Sequence, residues 1–131
     1  MKFILAFTVL LLGAVFCLPG QVAGEGRPKV EINEAGIYLG DASDFSRPAV
    51  VNVDAVYAKI PEYREIVERN MTERNPKYLI LLRAASRVFR RAVTKVADQK
   101  GFDLIGRTGS ISIEGRDVPD ITGLVIRNVP R

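Results

Sequence analysis

Five basic residues, Arg83, Arg87, Arg90, Arg91 and Lys95, are the side chains of this sequence best spaced to act together. Steps of four, three, one and four place them in one broad sector of a helix that turns about 100° per residue. A row of guanidinium and ammonium groups attracts anions: acidic polypeptide segments, lipid headgroups or lipopolysaccharide phosphates. The competing reading is a solvated helix face partly paired to Glu62, Glu65 and Glu68 upstream. Bond-making chemistry has little to draw on. The 131 residues include no His and one Cys, Cys17, which falls in the apolar start of the chain. A Ser-His-Asp triad, a thiol nucleophile and a conventional zinc site are therefore excluded from the remainder. No nucleophile and base can be assembled, so the chain reads as a non-enzyme with no metal and no cofactor. Asp41 and Asp44, in the turn-rich run Asp41–Pro48, lack the ordered oxygen-ligand spacing of a calcium loop and read as turn formers.

The helix that must carry the basic row spans residues 77–100. Tyr78, Leu81, Ala85, Val88, Ala92 and Val96 recur at steps of three and four, and Leu82 and Phe89 widen the stripe. Pro76 suits the first helical position after an Asn75 cap. Gly101 stops the helix, with Lys100 in its last turn, where the helix dipole favours a cation. This apolar stripe reads as the core of a helical hairpin. The other helix, over 55–70, carries Val56, Tyr57, Ile60, Tyr63, Ile66 and Val67 at helical spacing and is capped by Asp54. It is expected to kink or restart at Pro61. Residues 70–75 make the bend, and the acidic first helix can lie against the basic second one. Tyr57 and Tyr63 can serve packing or binding. The sequon Asn70-Met71-Thr72 is a chance match.

Residues 1–24 read as a cleaved secretory signal peptide: a basic start, an apolar run from Phe3 to Leu18, a Pro19-Gly20 break and small residues at Val22–Gly24. The run is short for a membrane span. The localisation it implies is the periplasm, which makes nucleic acid a poor partner for the basic helix. Without Lys2, 18 basic residues stand against 15 acidic ones, a net of +3 rather than the +4 of the whole chain. The acids concentrate in 25–54 and the bases in the long helix. About 107 residues remain after the leader, with no Cys and hence no disulfide.

Strand signals flank the hairpin. Residues 25–47 read as an N-terminal extension in which Val30–Asn33 and Gly36–Gly40 form a β-hairpin. Ala49–Val53 is a β-branched buried strand behind Pro48. Phe102–Ile105 is a strand ended by Gly106, and Ser110–Ile113 alternates as a strand with one covered face. A short last helix follows, capped by Asp120 or Thr122, with Leu124, Val125, Ile126 and Val129 turned inward. The fold class is α+β: a small β-sheet body, a protruding antiparallel helical hairpin and a short C-terminal helix. Three short strands make a poor core alone. Assembly of several chains is therefore expected, through a body built on Val51, Val53, Leu104, Ile111 and Ile113.

Three stretches in this order resemble the Skp/OmpH family of periplasmic chaperones: Pro48 with AVVNVDAVYAKIPEY, AVTKVADQKGFDLI from Ala92 to Ile105, and VPDITGLVIRNV from Val118 to Val129. The resemblance covers roughly 48–67 and 88–129, within a domain of residues 48–131 whose arm is 55–100. Membership implies a homotrimer joined through β-rich bodies. Its paired-helix arms would hold unfolded outer-membrane or envelope proteins without ATP or metal. This chain would be a short-armed member. The alternative is a non-catalytic structural or adaptor protein of the envelope, using the same body and short arms on one folded partner or an anionic surface.

Overall fold

The computed structural model describes residues 27–131, so the leader expected over residues 1–24 lies outside the described residues. Its centre is a pair of neighbouring parallel strands, β3 (Pro48–Val51) and β4 (Leu104–Arg107), in register from Pro48 opposite Leu104 to Val51 opposite Arg107. Every residue of β3 is buried, as its unbroken apolar run requires of a strand covered on both faces. Parallel neighbours cannot be joined by a tight turn. Here the crossover is the helical segment: α1 (Val53–Tyr57), α2 (Pro61–Glu68) and α3 (Pro76–Lys100). α3 is bounded as its sequence dictates. Asn75 Oδ1 accepts from the Lys77 backbone N–H at 2.9 Å, Pro76 opens the helix, and Gly101 closes it in the left-handed region at φ 73°. α2 restarts at Pro61, as the sequence pattern predicts, with Ile60 extended ahead of it.

Alternation along the strands divides the core in two. Ala49, Val51 and Ile105 face the helices and join Val56, Ile60, Ala85, Phe89, Ala92, Val93, Val96 and Ala97. Ile121, Val125 and Val129, from the closing α4 (Thr122–Arg127) and its flanks, complete that side. Val50 and Leu104 face the other way, onto Ile111 and Ile113 of β5 (Ile111–Ile113). Ser112, between them, is exposed, so the alternation holds over Ile111–Ile113; Ser110, expected to open the strand on its uncovered face, is instead buried in the preceding turn, where its Oγ donates to Arg107 O at 2.6 Å. The far edge of β3 is closed by the tail: Val50 N–H donates to Pro119 O and Ile121 N–H to Val50 O, both at 2.9 Å. The N-cap of α4 is Ile121, which has no side-chain capping bond, rather than the expected Asp120 or Thr122; Asp120, one residue earlier, accepts from the Thr122 backbone N–H at 2.9 Å.

Residues 27–47 depart from the expected extension. β1 (Val30–Ile32) and β2 (Ile37–Leu39) form near the predicted places, but they make no hairpin. β1 pairs antiparallel with β5, and β2 pairs antiparallel with the free edge of β4. Between them Asn33 caps a single 3-10 turn, Glu34–Gly36, with its side chain accepting from Ala35 N–H at 3.2 Å. That turn carries the chain from one sheet to the other instead of folding it back. Both strands therefore belong to the body. Asp103 fastens the segment that follows: its carboxylate accepts from the Ser46 and Arg47 backbone N–H groups at 2.6 and 2.7 Å. Gly40 passes so close to Asp103 that a Cβ there would meet the Asp103 carbonyl oxygen, and its φ is +94°.

Three further differences have local causes. The strand expected to reach Val53 ends at Val51, because Asn52 turns its Oδ1 to the Ala55 backbone N–H at 3.2 Å and caps α1. Asp54, the expected cap, sits in the first turn, and Val53 opens the helix half-buried rather than lying in the sheet. Gly106 does not end its strand but lies inside β4, where a Cβ would collide with Ser110 Oγ and Ile37 Cδ1. Val67, expected inward, is 57% exposed. Val51, Leu104, Ile111 and Ile113 are all buried within the single chain.

Two measurements follow from this packing. Replacing Ile111 and Ile113 together by Asp places unpaired charge in the second cluster and is expected to cost about 4 kcal/mol or more in chemical denaturation. A double variant with unchanged stability would refute the inward placement of β5. Desolvation acts to raise the Asp103 carboxyl, but the backbone N–H groups of Arg47 and Ser46, its own N–H and the Arg47 charge together hold it below its usual value. The folded pKa is thus depressed. The stability it contributes is complete above the unfolded value, near 3.9, and is lost as pH falls through the folded one. Asp103→Asn should destabilise the protein at neutral pH, and the difference from the native chain should vanish in acid. A pH-independent difference would contradict the clamp.

Candidate functional site

α2 and α3 run back along one another, and one ion pair marks the join. Lys77 Nζ reaches Glu65 Oε1 at 2.6 Å, and Arg69 Nε approaches the same oxygen at 3.6 Å. The hydrogen bond from Lys77 holds the Glu65 carboxyl below its usual range. This is as far as the expected pairing of acidic and basic helices goes. Glu68 pairs with Arg64 on its own helix at 3.8 Å, and Glu62 has one oxygen hidden from solvent without a hydrogen-bond partner. Neither reaches α3. The reason is rotational: α2 covers the side of α3 that carries Leu81 and Ala85, and the basic row faces away from it.

Arg83, Arg87, Arg90, Arg91 and Lys95 are all exposed, and none takes part in an ion pair found among the described residues. Arg90, Arg91, Thr94, Lys95 and Asp98 surround a shallow hollow of about 360 Å³. Across the whole of α3, seven basic residues meet one acid, Asp98. Exposed cations at this density attract anions over roughly a Debye length, about 8 Å at physiological salt.

The structure adds residues that the periodicity of the sequence does not single out. Leu79 and Ile80, in the outermost turn of α3, are 47% and 65% exposed. They sit on the face that continues as the basic row, since positions 80, 83, 87 and 91 follow at steps of three and four. Val67, near the end of α2, is a further exposed apolar residue of the hairpin. A signal was available: Tyr78–Leu82 is apolar all round the helix, wider than one packing stripe requires. The residues expected to build the body of an oligomer take the following places in the single chain. Val51, Leu104, Ile111 and Ile113 lie in the core, and Val53 lies at the start of α1.

Because the basic row is exposed and has no ion-pair partner among the described residues, reversing it tests function apart from folding. Arg87→Glu with Arg91→Glu should shift the unfolding free energy by no more than about 1 kcal/mol in denaturant titrations. A larger loss would mean that the row supports the fold.

In comparisons with known proteins, no family model, no curated protein and no solved structure matches the chain.

Proposed function

We propose that this chain is a non-catalytic binding protein of the cell envelope. It acts as an ATP-independent holdase, secreted to the periplasm through a cleaved signal peptide. It assembles as a homotrimer, and its hairpin keeps unfolded outer-membrane or other envelope polypeptides from aggregating. The observation that carries this reading is the outer turn of α3, where Leu79 and Ile80 stand in solvent one helical turn from Arg83, which has no ion-pair partner among the described residues. Unfolded chains offer apolar segments and scattered carboxylates, and weak contacts of both kinds from several arms add up. The resemblance of residues 48–67 and 88–129 to the Skp/OmpH family supports the same reading.

The main helical core begins at Ala85. The part of α3 beyond it, residues 76–84, is about 13 Å long. An arm of that reach suits local contact with a client segment rather than enclosure of a whole protein. The basic row favours a second reading, an envelope adaptor that docks on an anionic lipid or lipopolysaccharide surface.

Dilution of an urea-unfolded outer-membrane β-barrel protein into buffer, followed by light scattering, separates the two. A holdase suppresses the scattering, and Leu79→Ser with Ile80→Ser should weaken suppression at least about fivefold with the fold intact. An adaptor leaves the scattering unchanged yet co-sediments with vesicles containing anionic lipid. Light scattering of residues 25–131 across a dilution series should give the mass of three chains. A folded monomer that suppresses nothing would overturn the holdase reading.

A further inference from the structure

The closing helix α4 packs over the start of the hairpin and leaves a hollow of about 550 Å³ there, within the range of small-ligand pockets. One wall is the α1–α2 junction, with Lys59, Pro61 and Arg64. The other is the end of α4 and the residues after it, with Ile126, Arg127 and Val129. Pro130 and Arg131 complete the lining, and no residue of α3 takes part. The core beneath fixes both walls. Ile60 and Val129 are buried in the main cluster. Lys59 N–H donates to Val56 O at 2.9 Å and Val129 N–H to Ile126 O at 3.1 Å, so each turn is held by its own backbone. A ligand would meet a site whose backbone is already in place.

The charges that converge on the hollow have one sign. Lys59, Arg64, Arg127 and Arg131 line it, and no Asp or Glu among the described residues does. Lys59, Arg127 and Arg131 take part in no ion pair found among the described residues. Arg64 meets Glu68 at 3.8 Å, beyond hydrogen-bond reach. Like charges gathered around one concavity repel each other, and an anion held among them removes that cost. The rest of the lining is aliphatic: Ile126, Val129 and two prolines.

This combination narrows the ligand. A carboxylate carries one negative charge and is matched by a single guanidinium. Four cations suit a group with more charge in little space. A phosphate monoester carries close to two negative charges near neutral pH, with three acceptor oxygens. Arg binds it through a planar fork and Lys as a point charge. The aliphatic lining favours an ester with an apolar substituent over bare phosphate. A bilayer presents its headgroups on a plane, whereas a recess between two walls admits a single small molecule.

We propose that this hollow binds a small soluble phosphate monoester, with the phosphate on Lys59, Arg64 and Arg127 and an apolar substituent against Ile126 and Val129. The inference goes beyond the polypeptide-binding reading and does not depend on it. Hexyl phosphate, titrated into the protein at pH 8 in a calorimeter, tests it and should bind at one site per chain. Hexyl sulfate has the same substituent and a single charge, and it should bind at least about tenfold more weakly. Inorganic phosphate, with no substituent, should also be about tenfold weaker.

Lys59→Gln and Arg127→Gln, both at exposed positions, should each weaken hexyl phosphate at least about fivefold. Arg74→Gln, in the bend beyond the other end of α2, should leave its affinity unchanged. The denaturation midpoint of each variant without ligand reports its fold. Equal affinity for the phosphate and sulfate esters would overturn the inference, as would equal losses in Arg74→Gln and Arg127→Gln. Both results would show diffuse attraction to a basic protein. Sedimentation with phosphatidic acid vesicles without binding of hexyl phosphate would overturn it in favour of a membrane surface. Hexyl phosphate binding without suppression of aggregation would remove the proposed function alone. Suppression without that binding would remove the hollow alone.

Discussion

Two buried strands that run in the same direction set the terms for the rest of this molecule. Because β3 and β4 lie side by side and parallel, the chain must leave one end of the sheet and return to the other. Everything between Val51 and Leu104 is that return. A single helix laid on the sheet would suffice, yet this chain uses a longer path. It runs outward through α1 and α2, turns at residues 69–75 and comes back through about 37 Å of α3. The returning half of α3 gives Phe89, Ala92, Val93, Val96 and Ala97 to the core. The outer half is surplus to the crossover, and surplus helix is where the exposed tip and the first arginines lie.

The elements with strong local signals were legible in the sequence. α3 carries its cap, its opening proline, its apolar stripe and its terminating glycine within one stretch, so local and tertiary preferences agree. The break at Pro61 and the alternation of β5 follow equally directly from backbone chemistry. Strand partners were not legible. β1 and β2 sit on either side of an Asn-Glu-Ala-Gly connection that suits a hairpin, and only the positions of β4 and β5 decide that each pairs elsewhere. Nothing local to residues 30–40 encodes that choice. Asn52 is a similar case: inside an apolar run it reads as one polar interruption of a strand, and its capping bond to Ala55 appears only once the helix is placed.

The candidate surfaces divide the same way. The basic row needs only helical spacing and was visible. The exposed Leu79 and Ile80 were hidden among residues that could equally be core, because periodicity does not say how far along α3 the partner helix extends. The cationic hollow was not visible at all. Lys59 and Arg127 belong to elements far apart in the sequence, and their meeting depends on α4 packing over the α1–α2 junction.

The exposed apolar turn and the basic row line up along one helix. Leu79, Ser86 and Arg90 follow at steps of seven and four, which brings them to nearly the same angle around α3. The rise from Leu79 to Arg90 is about 16 Å, the span of roughly five extended residues at about 3.3 Å each. On the proposed function, a polypeptide segment of that length would reach from Leu79 past Arg83 to Arg90, all three exposed. Binding spread along α3 in this way would rest on several weak contacts and tolerate many sequences. On the proposed function, an arm of this length needs to reach only a short stretch of polypeptide.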